Sequence, residues 1–234
     1  MRKSALAFAL GVACSGPIVQ ERVHEVSPQS LARIAVAPFV AGPGLQTPPP
    51  PQPEAPADPD RAPEVAPTPQ LAAPEGDPAE RVAASDAAAL ATRFVSEEFA
   101  ERGFEIVPAG DLVRAFEAAG FEVPHGDPLA LARLAASEFG ATALLRGRVD
   151  RYRERDGGEL GATRPASVGF QLVLRAAPGG RTLWSSRFDH TQRAISEDVF
   201  RAPRYPGGGT RWLSAAELTR WGAGQAADRL IEHK

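Results

Sequence analysis

A mixed β-sheet flanked by helices, of the α/β (α+β) class and arranged as a single three-layer domain, is the fold this sequence predicts. Three observations predict it. Ile34-Ala35-Val36-Ala37-Pro38-Phe39 is a compact apolar run with a proline near its end, as in a buried strand that leads into a loop. Apolar residues then recur at helical spacing through the middle of the chain. From Thr142 onward the period changes to two, the repeat of a strand.

Taken in order, Leu90, Phe94, Val95 and Phe99 define a first helix near Ala79 to Arg102, closed by Gly103. Phe104-Glu105-Ile106-Val107 is a short strand. A second helix, Asp111 to Ala119, carries Leu112, Val113 and Phe116 and ends at Gly120. The third has Asp127 as N-cap, Pro128 at its first position and Gly140 at its end. Thr142 to Tyr152, Ser167 to Ala177 and Arg181 to Gln192 are consecutive antiparallel strands, the last two joined at Pro178-Gly179-Gly180. Ser214-Ala215-Ala216-Glu217 is a capping box that opens a final helix, with Leu213 and Leu218 spaced as its hydrophobic staple. Trp221 and Leu230 of that helix are placed to cover the sheet.

Composition restricts function. The 234 residues are 43% hydrophobic and 24% charged with a formal net charge of −3, and no extended basic tail is present, which argues against nucleic-acid binding. Lysine occurs only at Lys3 and Lys234, so nearly all positive charge is arginine. Thirteen of the 23 prolines fall between Pro43 and Pro78, in a stretch too poor in large apolar residues to offset its ordering entropy. Residues 41–78 are therefore expected to be a disordered insertion within a domain spanning residues 31–234.

The amino terminus carries an export signal. Arg2 and Lys3 precede the apolar run Ala5 to Ala13, about half the ~20 residues needed to span a bilayer. Leu10-Gly11-Val12-Ala13-Cys14 resembles the lipobox of bacterial lipoproteins, with leucine one step further out than is usual. The resemblance implies cleavage after residue 13, a lipid on Cys14, the only cysteine in the chain, and a tether over residues 14–30. Gly11-Val12-Ala13 also fits ordinary signal-peptidase cleavage, which would leave a soluble periplasmic or secreted protein. Ser15 is not the aspartate associated with inner-membrane retention, so an outer-membrane, periplasm-facing anchor is favoured.

Three segments resemble a bacterial envelope pattern: Ile34 to Phe39, Glu138-Phe139-Gly140-Ala141-Thr142-Ala143-Leu144-Leu145-Arg146-Gly147-Arg148-Val149, and Gly180-Arg181-Thr182-Leu183-Trp184-Ser185. Together they resemble the periplasmic α/β domain shared by the curli secretion lipoprotein CsgG, the penicillin-binding-protein activator LpoB and the amino-terminal domain of TolB. The whole chain is similar to lipoproteins of this type that end near Gly208-Gly209-Thr210-Arg211-Trp212-Leu213. The resemblance implies a non-enzymatic protein-interaction or assembly-accessory module, attached to the membrane through its lipid and bound to an envelope protein or to itself. A secretion-channel subunit is a second reading, and an envelope enzyme with a site dispersed in sequence is a third.

No chemical motif competes with that reading. The four histidines, His24, His125, His190 and His233, form no metal-ligand spacing, and no cofactor beyond the covalent lipid is expected. Asp189-His190 points to opposite faces of a strand, which removes an acid/base pair and leaves a solvated strand end as the expectation. Gly207-Gly208-Gly209-Thr210 lacks the lysine of a phosphate-binding loop. The candidate partner-binding residues are Arg146, Arg148, Trp212 and Trp221. Arg146 and Arg148 share a strand face, where an anionic group could meet them, although Asp150, Glu154 and Asp156 interleave with Arg151, Arg153 and Arg155 as on an ordinary solvated surface.

Overall fold

Alternation along three long antiparallel strands builds the centre of the molecule. The computed structural model describes residues 18–24, 26–45, 78–120, 127–193, 205–206 and 210–234. Nine strands are present among them: β1 (Ile18–Val23), β2 (Arg33–Val36), β3 (Val40–Ala41), β4 (Glu105–Val107), β5 (Ala143–Arg153), β6 (Asp156–Gly157), β7 (Ala162–Arg164), β8 (Ser167–Ala176) and β9 (Thr182–Thr191). The helices are α1 (Pro78–Glu101), α2 (Ala109–Ala118), α3 (Pro128–Phe139) and α4 (Ala215–Ile231). The main sheet runs β1-β9-β8-β5-β2-β4, with β3 also on β5. β2 is parallel to β4 and β5, whereas each neighbouring pair in the series β5, β8, β9, β1 is antiparallel, so the sheet is mixed.

Two cores lie on opposite sides of the sheet, giving three layers. On one side Val168, Phe170, Leu172 and Leu174 of β8 meet Phe94, Val95 and Phe99 of α1 and Leu218, Ala223 and Ala227 of α4. On the other, Leu112 and Phe116 of α2 and Leu131 and Ala135 of α3 pack on Ala35 and Leu144. Gly147 is needed for close approach: a Cβ there would lie 2.2 Å from the ring of Phe39. Phe39 is fixed in turn by Thr92, whose hydroxyl accepts its N–H at 2.9 Å and donates to the Ala88 carbonyl.

The cap signals hold in atomic detail. Asp127 accepts the N–H groups of Leu129 and Ala130, and Gly140 ends α3 at φ +61°. Ser214 accepts the Glu217 N–H while Glu217 accepts that of Ser214, and the flanking Leu213 and Leu218 are both fully buried.

Three features differ from the sequence reading. The segment expected to be a tether, residues 14–30, contributes β1, which pairs along six residues with β9. Its sequence, Ile-Val-Gln-Glu-Arg-Val, has no clean alternation, and only a long-range partner makes it a strand. At the start of the proline-rich insertion, Ala41 belongs to β3, Pro43–Leu45 forms a 3-10 turn, and Gly42 donates to the Val149 carbonyl at 2.7 Å. The rest of that insertion, residues 46–77, and Cys14 lie outside the described residues, as does Gly207–Gly209. Finally, the charged stretch after β5 folds into the small β6–β7 hairpin.

Candidate functional site

The two sides of β5, β8, β9 and β1 are occupied differently. α1 and α4 cover one; on the other, α2 and α3 reach only as far as Leu144 and its neighbours among the described residues. Beyond Leu144 the alternate residues of β5 are Arg146 and Arg148, so the strand period carries arginines onto the side that no described helix covers. Strand register then sets them in rows. Arg148 pairs with Gln171, Gln171 with Arg187 and Arg187 with Gln20, while Arg146, Val173, Ser185 and Arg22 form the next row.

Charges on this face are partly compensated. Arg148 bonds Asp150 at 2.6 Å, and the other oxygen of Asp150 accepts from the Gln171 amide at 2.7 Å. Asp189 pairs with Arg151 and with Arg187. A register shift between Val149 and Arg151 brings Asp150 and Arg151 to the same side. Burial, followed by repulsion from Arg175, lowers the pKa of Arg146, and Asp127 offsets part of that. A shallow depression of about 260 Å³, lined by Gln20, Arg22, Gln171, Ser185 and Arg187, lies across the rows.

On the opposite side Trp221 projects from α4 into an aromatic group. Its ring meets Phe188 edge-on at 5.9 Å, His190 at 5.4 Å and Tyr205 at 5.1 Å. His190 is buried, with its Nε2 2.6 Å from the Tyr205 hydroxyl. This corrects the expectation of a solvated strand end: Asp189 and His190 do point to opposite faces, but the face His190 enters is the core. Tyr205 and Trp221, remote in sequence, supply its surroundings.

Next to Trp221 an open depression of about 360 Å³ is lined by Glu98, Arg102, Glu217, Arg220 and Gln225. Its charges bond one another. Glu98 accepts from Arg102 and Arg220 at 2.8 Å each and Arg102 also pairs with Asp228; Asp228 and Glu98 raise the pKa of Arg102, and Glu98, with Glu97 and Glu101, that of Arg220. Glu217 is held down to about 2, first by its bond from Arg211 and further by the capping contacts with Ser214.

The four predicted partner-binding residues do not converge. Arg146 and Arg148 lie on the arginine face and Trp221 on the helical side. Trp212 is a backbone brace for the hairpin: its N–H donates to Glu159 and its carbonyl accepts from Arg155. Sequence reasoning missed Gln171, Arg187, Gln20 and Arg22 as neighbours of Arg148. The parity of β8 and β9 was readable, but not the pairing with β1. Among the described residues no group of His, Cys, Asp and Glu is arranged to hold a metal, and no helix is long and apolar enough to cross a membrane.

No family model and no curated protein matches the chain. It is similar to solved structures. The PelC dodecamer from Paraburkholderia phytofirmans is 14% identical with a TM-score of 0.44, over 89% of this chain and 92% of that one. Lipoprotein GNA1162 from Neisseria meningitidis is 16% identical with a TM-score of 0.38, over 69% and 81%. The LpoB C-terminal domain from Escherichia coli, one of the proteins the motifs resemble, is 15% identical with a TM-score of 0.33, over 69% and 84%. These likenesses are too distant to transfer a role.

Proposed function

We propose that this chain is a lipid-anchored, non-enzymatic module of the bacterial envelope that binds another envelope protein through the α1–α4 side of its fold. The observation that carries the choice of binding over catalysis is the Trp221 depression. It is shallow, and Glu98, Arg102 and Arg220 are committed to mutual ion pairs, where a catalytic acid or base needs a substrate-facing group with an unshared proton. A half-buried tryptophan bordered by arginines is the composition of a protein-interface anchor. Cys14, behind its signal-like segment, supplies attachment by a covalent acyl chain.

Two measurements test this. Metabolic labelling with palmitate is expected to mark the wild type and not Cys14→Ala, with the wild type in the outer-membrane fraction. An unlabelled, soluble wild type would sink the anchored reading. A photo-crosslinker at Gln225 is expected to capture an envelope protein in cells, and Trp221→Ala to lower that yield by about tenfold or more. Unchanged yield would remove Trp221 from the interface.

A further inference from the structure

Only three residues separate Cys14 from Ile18, the first residue of β1. Four Cα-to-Cα steps reach at most about 14 Å, so with the anchor proposed above the β1 edge of the sheet stays close to the bilayer surface. Strand β1 is bonded into the sheet along its whole length, in register from Ile18 opposite Asp189 to Val23 opposite Trp184. A flexible spacer is therefore not available to lift the domain away. A domain held this near the membrane turns some surface toward it, and the faces differ sharply in chemistry.

We infer that the open face of β5, β8, β9 and β1 docks on the anionic phospholipid headgroups of the leaflet that holds the acyl chains. This rests on the lipid-anchor reading of Cys14. Charge complementarity selects the face: Arg22, Arg146, Arg148, Arg151, Arg175 and Arg187 lie on it or at its margin, against Asp150 and Asp189 and, beside Arg146, Asp127. The face is positive in a chain whose formal net charge is −3, so that charge is segregated to one side. Its breadth fits as well. Four strands at about 4.8 Å spacing make each row roughly 14 Å long, and the two rows lie about 7 Å apart.

The chemistry at the centre suits a phosphodiester. The depression of about 260 Å³ is lined by Arg22, Arg187, Ser185 and Gln171, with the Gln171 amide also donating to Asp150 and Arg187 also pairing with Asp189. Guanidinium forks and neutral donors together match phosphate oxygens. A basic surface beside the lipid anchor fixes the orientation of the attached domain on an anionic leaflet. Docking in this sense turns α1, α4 and the Trp221 depression away from the bilayer, where an envelope partner can reach them.

Arginine footprinting of the protein purified from membranes and reconstituted into vesicles tests the inference. Intact mass first reports whether Cys14 is acylated; a chain without that mass lacks the tether and removes the inference together with its premise. For the acylated chain, phenylglyoxal modification of Arg22, Arg148 and Arg187 is expected to be about fivefold slower or more on phosphatidylcholine–phosphatidylglycerol vesicles than on phosphatidylcholine alone, with the difference abolished by high salt. Arg93 and Arg229 on the helical side, with side chains 62% and 53% exposed, are expected to react alike on both. Arg148→Gln with Arg187→Gln is expected to reduce the protection of Arg22 to less than about twofold. Equal rates on the two vesicles, or equal protection of Arg93 and Arg229, would overturn the docking while leaving the anchor intact. Protection by soluble poly-L-glutamate on phosphatidylcholine vesicles, with none from phosphatidylglycerol, would reassign the face to an acidic polypeptide and overturn it as well.

Discussion

The two faces of one set of strands obey opposite rules. Toward α1 and α4, β8 presents Val168, Phe170, Leu172 and Leu174, all buried; toward the other side, the residues between them are Gly169, Gln171 and Val173. A strand places successive side chains on opposite faces, so both surfaces arise from one alternating pattern. Stability is concentrated on one face and charge on the other. Substitutions that cross from one to the other therefore measure how far the two are separate.

The largest expected effect is at Trp184, which is fully buried and donates its indole N–H to Glu21 on β1. Trp184→Ala is expected to cost about 3–5 kcal/mol in denaturant unfolding, since it removes a large buried side chain and leaves the part-buried Glu21 carboxylate with only His233 beside it. Its neighbour Ser185→Ala, on the open side, is expected to change stability by less than about 0.5 kcal/mol. Comparable losses at the two positions would mean that the open face is packed against something.

Two glycines sharpen the same contrast. A methyl at Gly147 would meet the Phe39 ring at 2.2 Å, whereas one at Gly169, on the open side, finds its nearest neighbour at an ordinary 3.6 Å. Gly147→Ala is expected to destabilise by about 1–3 kcal/mol through overpacking. Gly169→Ala is expected to lie within about 0.5 kcal/mol of wild type. Thermal melts of the two variants decide it, and a Gly147→Ala protein as stable as wild type would show that Phe39 can move aside.

Helix α4, the cover of the packed face, can be loosened from its end. Ser214→Ala removes the acceptor for the Glu217 N–H, at an expected cost of about 1 kcal/mol. Its partner Glu217 adds a pH dependence. The folded carboxyl sits at about 2 against an ordinary 4.5, so its contribution is full above about 4.5 and is lost as pH falls through about 2. Stability profiles of wild type and Glu217→Gln are therefore expected to converge in acid, to diverge as pH rises from about 2 to about 4.5, and to keep a constant gap above that. Parallel profiles would remove Glu217 from the linkage.

Much of the helical packing on both sides of the sheet was legible in the sequence because its signals are local. Asp127-Pro128, Gly140 and the Ser214–Glu217 box each specify a helix end through contacts within four residues. The alternation of β8 and β9 likewise located their buried sides. The open face was legible only at Arg146 and Arg148. Its other members become neighbours through register: Gln20 reaches Arg187 from the far end of the chain, across a pairing that no local pattern encodes. His190 was misread for the same reason, since its burial depends on Tyr205 and Trp221, which come from later segments.

The smallest expected effect on stability is the most informative about function. Arg148→Gln with Arg187→Gln removes two side chains that are 45% and 49% exposed and whose ion pairs with Asp150 and Asp189 are solvent-screened. Exposed pairs of this kind contribute little, and Asp150 keeps its bond from Gln171, as Asp189 keeps Arg151. The melting curve is expected to shift by no more than the equivalent of about 0.5 kcal/mol. Loss of lipid-dependent protection at Arg22 with an unchanged melting curve would assign this face to binding, because the fold would have no use for its arginines. A loss of about 2 kcal/mol or more would instead make the rows part of the scaffold and end the distinction between the two faces.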